Sequence, residues 1–161
     1  MNKWITTGVL LMAALAHTSA WAQEGKIQLQ TVVEKEQVTV AENGDERVEL
    51  VPVEKVFPGD VVIYTVTYTN VADQAVENVT ITNPISAELS YVPESAFAPG
   101  ADVSFSVDGG KTFDALANLT VAIDGAERTA SVEDLTHIRW VLTDALAPGS
   151  RGFARFRARL N

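Results

Sequence analysis

Apolar and polar residues alternate with a period of two along most of this 161-residue chain, which predicts β-strands rather than helices. The longest strand-forming run extends from Val61 to Thr69 and contains only Val, Ile, Thr and Tyr, residue types that suit a pleated surface. Pro58 and Gly59 precede the run and predict a tight turn at its start. We therefore expect Val61–Thr69 to be the central strand of a sheet, with a core face formed by Val62, Tyr64, Val66 and Tyr68.

The same alternation predicts further strands on both sides of this run. They are centred on Ile27 and Leu29, Val38–Val40, Val48–Leu50, Val79 and Ile81, Leu89–Val92, Val103–Val107, Leu119–Ile123, Ile138–Leu142 and Ala154–Leu160. The segment Ser131–Asp134 has the spacing of a helix cap and predicts at most one short helical turn. We expect the chain to be all-β, folded as an antiparallel β-sandwich of about seven to nine strands.

Residues expected in the core are apolar or aromatic and occupy inward positions on these strands. Trp140 is the largest of them, and we expect it between the two sheets, where sandwich folds commonly bury a tryptophan. The core markers are Tyr64, Val66, Tyr68, Ile138, Trp140, Leu142 and Phe156.

One hairpin is predicted early in the chain, where two apolar segments flank the polar stretch Glu42–Glu46. A loop of three residues, Asn43–Asp45, sets Val40 opposite Val48 and places Val38 opposite Leu50. A longer loop of the same parity keeps these side chains on one face. Because register follows the buried face, we expect one of these loops.

Several segments resemble a known bacterial family. The run from Pro58 to Asn70 is followed by Val76-Glu-Asn-Val-Thr-Ile-Thr-Asn-Pro84 and by Leu89-Ser-Tyr-Val92. With Ile138-Arg-Trp-Val-Leu142 and Leu146-Ala-Pro-Gly149 near the end, the chain resembles the "domain of unknown function eleven" repeat family. The resemblance covers Lys55 to Leu160 and implies an immunoglobulin-like module of exported or cell-surface proteins, without catalytic residues.

The first residues have the pattern of a secretory signal peptide. Lys3 supplies an early positive charge, Val9–Ala16 is apolar, and Ala20-Trp21-Ala22 puts small residues at the cleavage position. The apolar run is shorter than the roughly 20 residues that span a bilayer. We expect a cleaved leader at Met1–Ala22 and a single domain at residues 23–161, exported to the periplasm or the extracellular space, with no transmembrane segment.

Composition limits the partners. The chain has no cysteine, so an exported fold must be held by its core without disulfides. Its formal net charge is −9, and loss of Lys3, the leader's one charged residue, makes it −10. This acidity argues against nucleic acid or an anionic membrane as a partner.

The last predicted strand carries the one concentrated basic feature, because Arg155, Arg157 and Arg159 alternate with inward residues and share a face. One interpretation is a solvated face whose charges are answered by glutamates of a neighbouring strand, such as Glu34, Glu36 or Glu49. The other is a possible interaction face for an anionic partner. We favour the first, because charge alternation on surfaces is ordinary.

The octapeptide Ser106–Phe113 resembles the "Asp-box" hairpin of sialidase propellers, with Phe113 in place of the usual tryptophan. The motif implies a tight turn in which Asp108 accepts hydrogen bonds from backbone amides. Gly109 and Gly110 take backbone conformations that other residues avoid. A propeller needs several such repeats in a longer chain. One copy favours a structural hairpin over a sugar-hydrolysing enzyme.

Catalytic chemistry has no signal in the sequence. Cysteine is missing, His17 lies in the leader, and His137 alone cannot form a zinc site with histidine or cysteine partners. No glycine-rich phosphate loop lies between a strand and a helix. We therefore expect no enzymatic activity, no cofactor and no metal.

The expected function is that of a structural or interaction module, associated with adhesion or the envelope. Its partners would be other envelope or surface proteins, or a copy of itself, bound through an exposed edge strand. A carbohydrate-binding domain is the alternative, in which exposed Tyr91, Phe97 or Phe113 stacks on sugar rings of a glycan. An uncharacterised hydrolase comes third.

Overall fold

The computed structural model describes residues 26–40 and 45–161, together with the backbone but not the side chains of Val38 and Glu46. The leader expected at Met1–Ala22 lies outside these residues. Within them the chain is all-β, with two single turns of 3-10 helix at Leu116–Asn118 and Val132–Asp134. Its strands are β1 (Ile27–Val40), β2 (Glu46–Pro52), β3 (Val61–Asn70), β4 (Thr80–Pro84), β5 (Leu89–Tyr91), β6 (Ala101–Ser106), β7 (Thr120–Ile123), β8 (Ala126–Thr129), β9 (His137–Leu142) and β10 (Arg151–Leu160).

The described strands form antiparallel sheets that share one core. A five-stranded sheet has the order β2-β1-β3-β10-β5, and a three-stranded sheet has the order β4-β9-β6. Strands β7 and β8 form a separate hairpin. Strand β3 lies in the middle of the larger sheet, as its run of β-branched and aromatic residues predicts.

The core lies between the two larger sheets. Tyr64 of β3 stacks on Phe156 of β10, with ring centroids 4.9 Å apart, and Trp140 of β9 reaches the same phenylalanine at 6.0 Å. Trp140 is fully buried, which confirms its predicted position. The other core markers are buried too, namely Tyr64, Val66, Tyr68, Ile138, Leu142 and Phe156.

The turn before β3 has the predicted form. Gly59 has a φ of 95°, a value that suits glycine at the third position of a type II turn. The amide of Asp60 donates to the carbonyl of Phe57 at 2.9 Å, and the Asp60 carboxylate accepts the Phe57 amide at 2.9 Å. Local turn chemistry therefore determines where the central strand begins.

The β1–β2 hairpin has the predicted parity but not the predicted register. Val38 lies opposite Val48, and Val40 lies opposite Glu46, so the expected pairings of Val40 with Val48 and Val38 with Leu50 are wrong. Val40 and Val48 are 67% and 61% exposed. Because no layer of described residues buries this face, burial does not select the register here.

Strand β8 was not expected, and the described residues form ten strands where about seven to nine were expected. The sequence pattern predicts β7 but ends it at Asp124-Gly125, whereas the chain turns there and pairs back along residues 126–129. Asp124 and Gly125 have φ values of 52° and 81°, which is the two-residue hairpin turn favoured by Asp-Gly. All four residues of β8 are exposed. The strand therefore has no buried face, and alternation of apolar and polar residues could not predict it.

Candidate interaction surface

One side of the five-stranded sheet faces away from the core, and we call it the outer face. On β10 the inward Ala154, Phe156 and Ala158 are buried, so the alternate residues between and beside them project outward. Cross-strand pairing then assembles the outer face from three strands. It includes Arg155, Arg157 and Arg159 on β10, Ile63, Thr65 and Thr67 on β3, and Val32, Glu34 and Glu36 on β1.

Each of the three arginines has a partner within the chain. Arg157 forms a salt bridge with Glu36 at 2.5 Å, and both side chains are about two-fifths exposed, at 44% and 39%. Arg155 Nε donates to Thr65 Oγ1 at 3.1 Å, and Arg159 donates to the carbonyl of Gly59 at 3.0 Å. These contacts agree with the interpretation of a solvated face on which each arginine is paired with a group of the same chain.

The three glutamates expected to pair with the arginines do not all lie on the outer face. Glu36 makes the salt bridge, and Glu34 lies on the same face opposite Ile63. Glu49 pairs with Gln37 on the other face of the hairpin, so its proposed role as an arginine partner is wrong. The register of β1 against β2 and β3 decides this choice.

The aromatic residues considered for sugar stacking point in different directions. Tyr91 is buried, contacts Phe105 at 5.1 Å between ring centroids, and accepts the Ala96 amide through its hydroxyl at 3.1 Å. Phe113 is covered on one face by the Arg139 guanidinium, 3.5 Å from the ring centroid. Tyr91 therefore offers no free stacking face, and one face of Phe113 is already occupied by Arg139.

Phe97, in contrast, is 57% exposed beside the outer face. Its backbone exchanges two hydrogen bonds with Arg155, each 2.8 Å long, and its ring lies 6.0 Å from that of Phe153. The Arg155 guanidinium lies 5.5 Å from the Phe153 ring centroid. Phe153 was not a predicted site residue, although it shares the outward parity of the three arginines.

The Asp-box segment is a tight turn in the structure. Asp108 accepts hydrogen bonds from the Ser106 hydroxyl at 2.7 Å, the Lys111 amide at 3.0 Å, and the amide and hydroxyl of Thr112 at 3.0 and 2.7 Å. The Ser106 and Thr112 hydrogen bonds hold the pKa of the Asp108 carboxyl well below its usual range. Its lone pairs are thus used in shaping the loop.

The next feature is the arrangement of the remaining titratable side chains among the described residues. Within residues 26–40 and 45–161, no group of three or more His, Cys, Asp or Glu side chains is placed to hold a metal ion. Burial and the nearby Arg139 lower the pKa of His137, whose Nδ1 lies 3.2 Å from Thr136 Oγ1. In the same residues, no helix has the length and apolar character needed to cross a membrane.

Strand β1 has one edge that is paired along only part of its length. One side pairs with β3 over Ile27–Lys35, and the other pairs with β2 over Glu34–Val40. Within the described ranges, no strand pairs with that second side over Ile27–Val33, and we call this stretch the open edge. It carries the backbone signature of a strand-pairing site.

The direction of the backbone groups at the open edge follows from two hydrogen bonds. Val71 of the β3 side donates to the Lys26 carbonyl at 2.9 Å, and Val53 of the β2 side donates to the Val33 carbonyl at 3.4 Å. Because successive residues of a strand point their N–H and C=O groups to opposite sides, odd-numbered residues face away from β3. The groups of Ile27, Leu29 and Thr31 therefore face the open edge.

Comparison with known proteins identifies no relative, since no family model, no curated protein and no solved structure matches the chain. Function must therefore be inferred from the outer face and the open edge.

Proposed function

We propose that the protein is an exported, non-catalytic interaction module that binds envelope or surface proteins, or a copy of itself, by strand pairing at the open edge of β1. The observation that carries the proposal is the row of outward-directed backbone groups at Ile27, Leu29 and Thr31, next to an ordered five-stranded sheet. An extended segment added there gains main-chain hydrogen bonds, and pockets between alternate side chains give it specificity.

The fold component of the proposal is an immunoglobulin-like sandwich. Two antiparallel sheets with Trp140 and Phe156 in contact between them support it. So does the resemblance of residues 55–160 to the "domain of unknown function eleven" repeats. The leader pattern at Met1–Ala22 supports a periplasmic or extracellular location.

A non-catalytic role is supported by how the perturbed carboxylates are used. Asp108 organises its own turn, and Asp134 accepts from Arg128 at 2.7 Å and from the Ser131 amide at 2.7 Å. The Arg128 guanidinium and Ser131 hold the pKa of Asp134 below its usual range. Both groups stabilise local backbone structure rather than converge on a shared cleft.

Envelope retention of the protein, expressed with its leader, tests the proposal. Thr31→Pro removes an N–H that faces the open edge while sparing the β3 ladder, and Thr31→Val is the matched control. We expect an exported protein that begins at Gln23 by mass, sediments with the envelope fraction, and loses retention in the proline variant alone. An unprocessed intracellular protein, or retention indifferent to Thr31→Pro, would contradict the proposal.

Glycan binding is a second candidate, favoured specifically by the outward Phe97. Its exposed ring lies beside Phe153 and Arg155, a combination of apolar surface and hydrogen-bond donors that suits a sugar ring. Binding to a panel of bacterial polysaccharides should be lost in Phe97→Ala. Phe57→Ala is the matched control, since Phe57 is 64% exposed and belongs to the turn before β3. Equal loss in both variants would reject the site.

A further inference from the structure

We propose that the partner at the open edge is a second copy of this chain, paired antiparallel through Ile27–Thr31 with Leu29 on the two-fold axis. The inference rests on the proposed function, because it names the occupant of the same edge. It yields one continuous sheet of ten strands made from two five-stranded sheets.

The backbone permits this pairing. Odd-numbered residues direct their N–H and C=O groups toward the open edge, so odd residues of one copy must face odd residues of the other. With Leu29 opposite Leu29 of the second copy, Ile27 lies opposite Thr31 at both ends. All outward groups of these three residues then form hydrogen bonds across the junction.

The length of the open edge selects this register. Strand β2 occupies the same side of β1 from Glu34, which lies opposite Pro52, and the Val53 amide already bonds to Val33. A register shifted by one pair toward β2 would put Ile27 of the second copy where Val53 lies. Five paired residues therefore fill the available edge without displacing β2.

The side chains are compatible with a second copy. Gln28 lies opposite Gln30 of the second copy on the solvent side, and no proline or inward-pointing charge interrupts residues 27–33, the devices that usually block edge pairing. Ile27 is buried and Leu29 packs against the core. The edge therefore presents an uncharged inner row of Ile27, Leu29 and Thr31 and an uncharged outer row of Gln28 and Gln30.

Charge complementarity favours this occupant over an unrelated acidic strand. Lys26 comes to lie opposite Val32 of the second copy and diagonal to its Glu34, within reach of a long side chain. The two-fold axis makes this contact twice. The chain as a whole is acidic, with a formal charge of −9, so the Lys26–Glu34 contact offsets part of the general repulsion between two copies.

A short junction of five residues a side predicts a weak dimer that forms with rising concentration. The pairing of position 28 with position 30 allows a charge-pattern test in the mature chain, since both glutamines are exposed. Gln28→Lys/Gln30→Lys and Gln28→Glu/Gln30→Glu place like charges across the junction. Gln28→Lys/Gln30→Glu places opposite charges there and keeps the net charge of the wild type.

Sedimentation equilibrium or light scattering over a concentration series measures the dimer dissociation constant. We expect the Lys/Glu variant to bind roughly 2- to 30-fold tighter than wild type and the two like-charge variants to bind weaker by a similar factor. Mixing the two like-charge variants should restore dimers. Raising the salt concentration should reduce all of these differences.

Three results overturn the inference. Dimers indifferent to the charge pattern show that a different surface associates. Monomers at every concentration, with envelope retention still lost in Thr31→Pro, reject the second copy and leave the proposed function standing. Monomers whose retention is also unaffected by Thr31→Pro reject both.

Discussion

The ring of Tyr68 lies directly against Gly152, its cross-strand partner between β3 and β10. A Cβ built on Gly152 would lie 2.4 Å from the Tyr68 hydroxyl oxygen and 2.5 Å from the ring carbon that bears it. Both distances are shorter than atoms tolerate. The glycine is thus required by the close approach of an aromatic ring, not by a left-handed backbone.

Replacing this glycine should therefore destabilise the core. We expect Gly152→Ala to lower the free energy of unfolding by about 1–3 kcal/mol, the usual cost of overpacking. In a Tyr68→Val background the ring is gone, and the added cost of Gly152→Ala should be much smaller. Urea denaturation of the four proteins measures the coupling. Equal costs in both backgrounds would show that the ring contact is not the cause.

The Tyr64 hydroxyl is buried and has no hydrogen-bond partner among the described residues. Burial, with a smaller contribution from the Glu88 carboxylate, raises the pKa of Tyr64 to about 12. Tyr64→Phe removes an unsatisfied polar group, and we expect it to raise the free energy of unfolding at pH 7 by about 1 kcal/mol. A loss of stability would instead indicate an internal water bound to the hydroxyl.

The same residue predicts an alkaline effect. The folded-state pKa of Tyr64 lies above the unfolded value of 10.0, so the unfolded state loses its proton first as pH rises. Wild-type stability should fall as pH increases from 10 through 12, and it should fall less in Tyr64→Phe. Denaturation curves at several alkaline pH values provide the comparison. Parallel pH profiles for the two proteins would contradict the assignment.

Asp108 predicts an acid effect of opposite direction. Its folded-state pKa is depressed below 3.8 by hydrogen bonds from Ser106 and Thr112, so its contribution is present at neutral pH and is lost as pH falls below about 4. Asp108→Asn should be less stable than wild type at pH 7, with the difference shrinking toward pH 2. Asp102→Asn, at an exposed position of β6, is the control. If the stability difference between wild type and Asp108→Asn did not change with pH, the charge of the Asp108 carboxylate would not contribute to stability.

The salt bridge between Arg157 and Glu36 should contribute little to stability. Both side chains are partly exposed, and such pairs contribute about 0–1 kcal/mol. Arg157→Gln and Glu36→Gln should each lower the free energy of unfolding within that range, less so at high salt. Thermal and urea unfolding at two salt concentrations measure this. A loss of unfolding free energy several times larger would show that the Arg157–Glu36 pair is important for the stability of the sheet.

Much of the fold follows from local sequence. The period-two alternation of Val62, Tyr64, Val66 and Tyr68 predicts both a strand and its buried face, because one side of a sheet packs on the core. Pro58-Gly59 and the Asp108 turn were predictable too, since their geometry depends on residues next to each other in sequence.

The candidate site was less predictable, because it depends on contacts between distant segments. Nothing local distinguishes Phe97, which faces solvent, from Tyr91, which is buried, since both lie in short segments near proline. The choice of Glu36 over Glu49 as the partner of Arg157 depends on how β1 aligns with β2 and β3. The open edge exists because β2 pairs with only the second half of β1.

The sequence by itself determined all the strands except β8, their inward and outward faces and the local turns, because side-chain alternation and turn conformations are properties of neighbouring residues. Only the tertiary structure decided the β1–β2 register, the pairing of β8, the approach of Tyr68 to Gly152 and the extent of the open edge. Each depends on which strands become neighbours, and that choice arises from packing and hydrogen bonding between residues far apart in the chain.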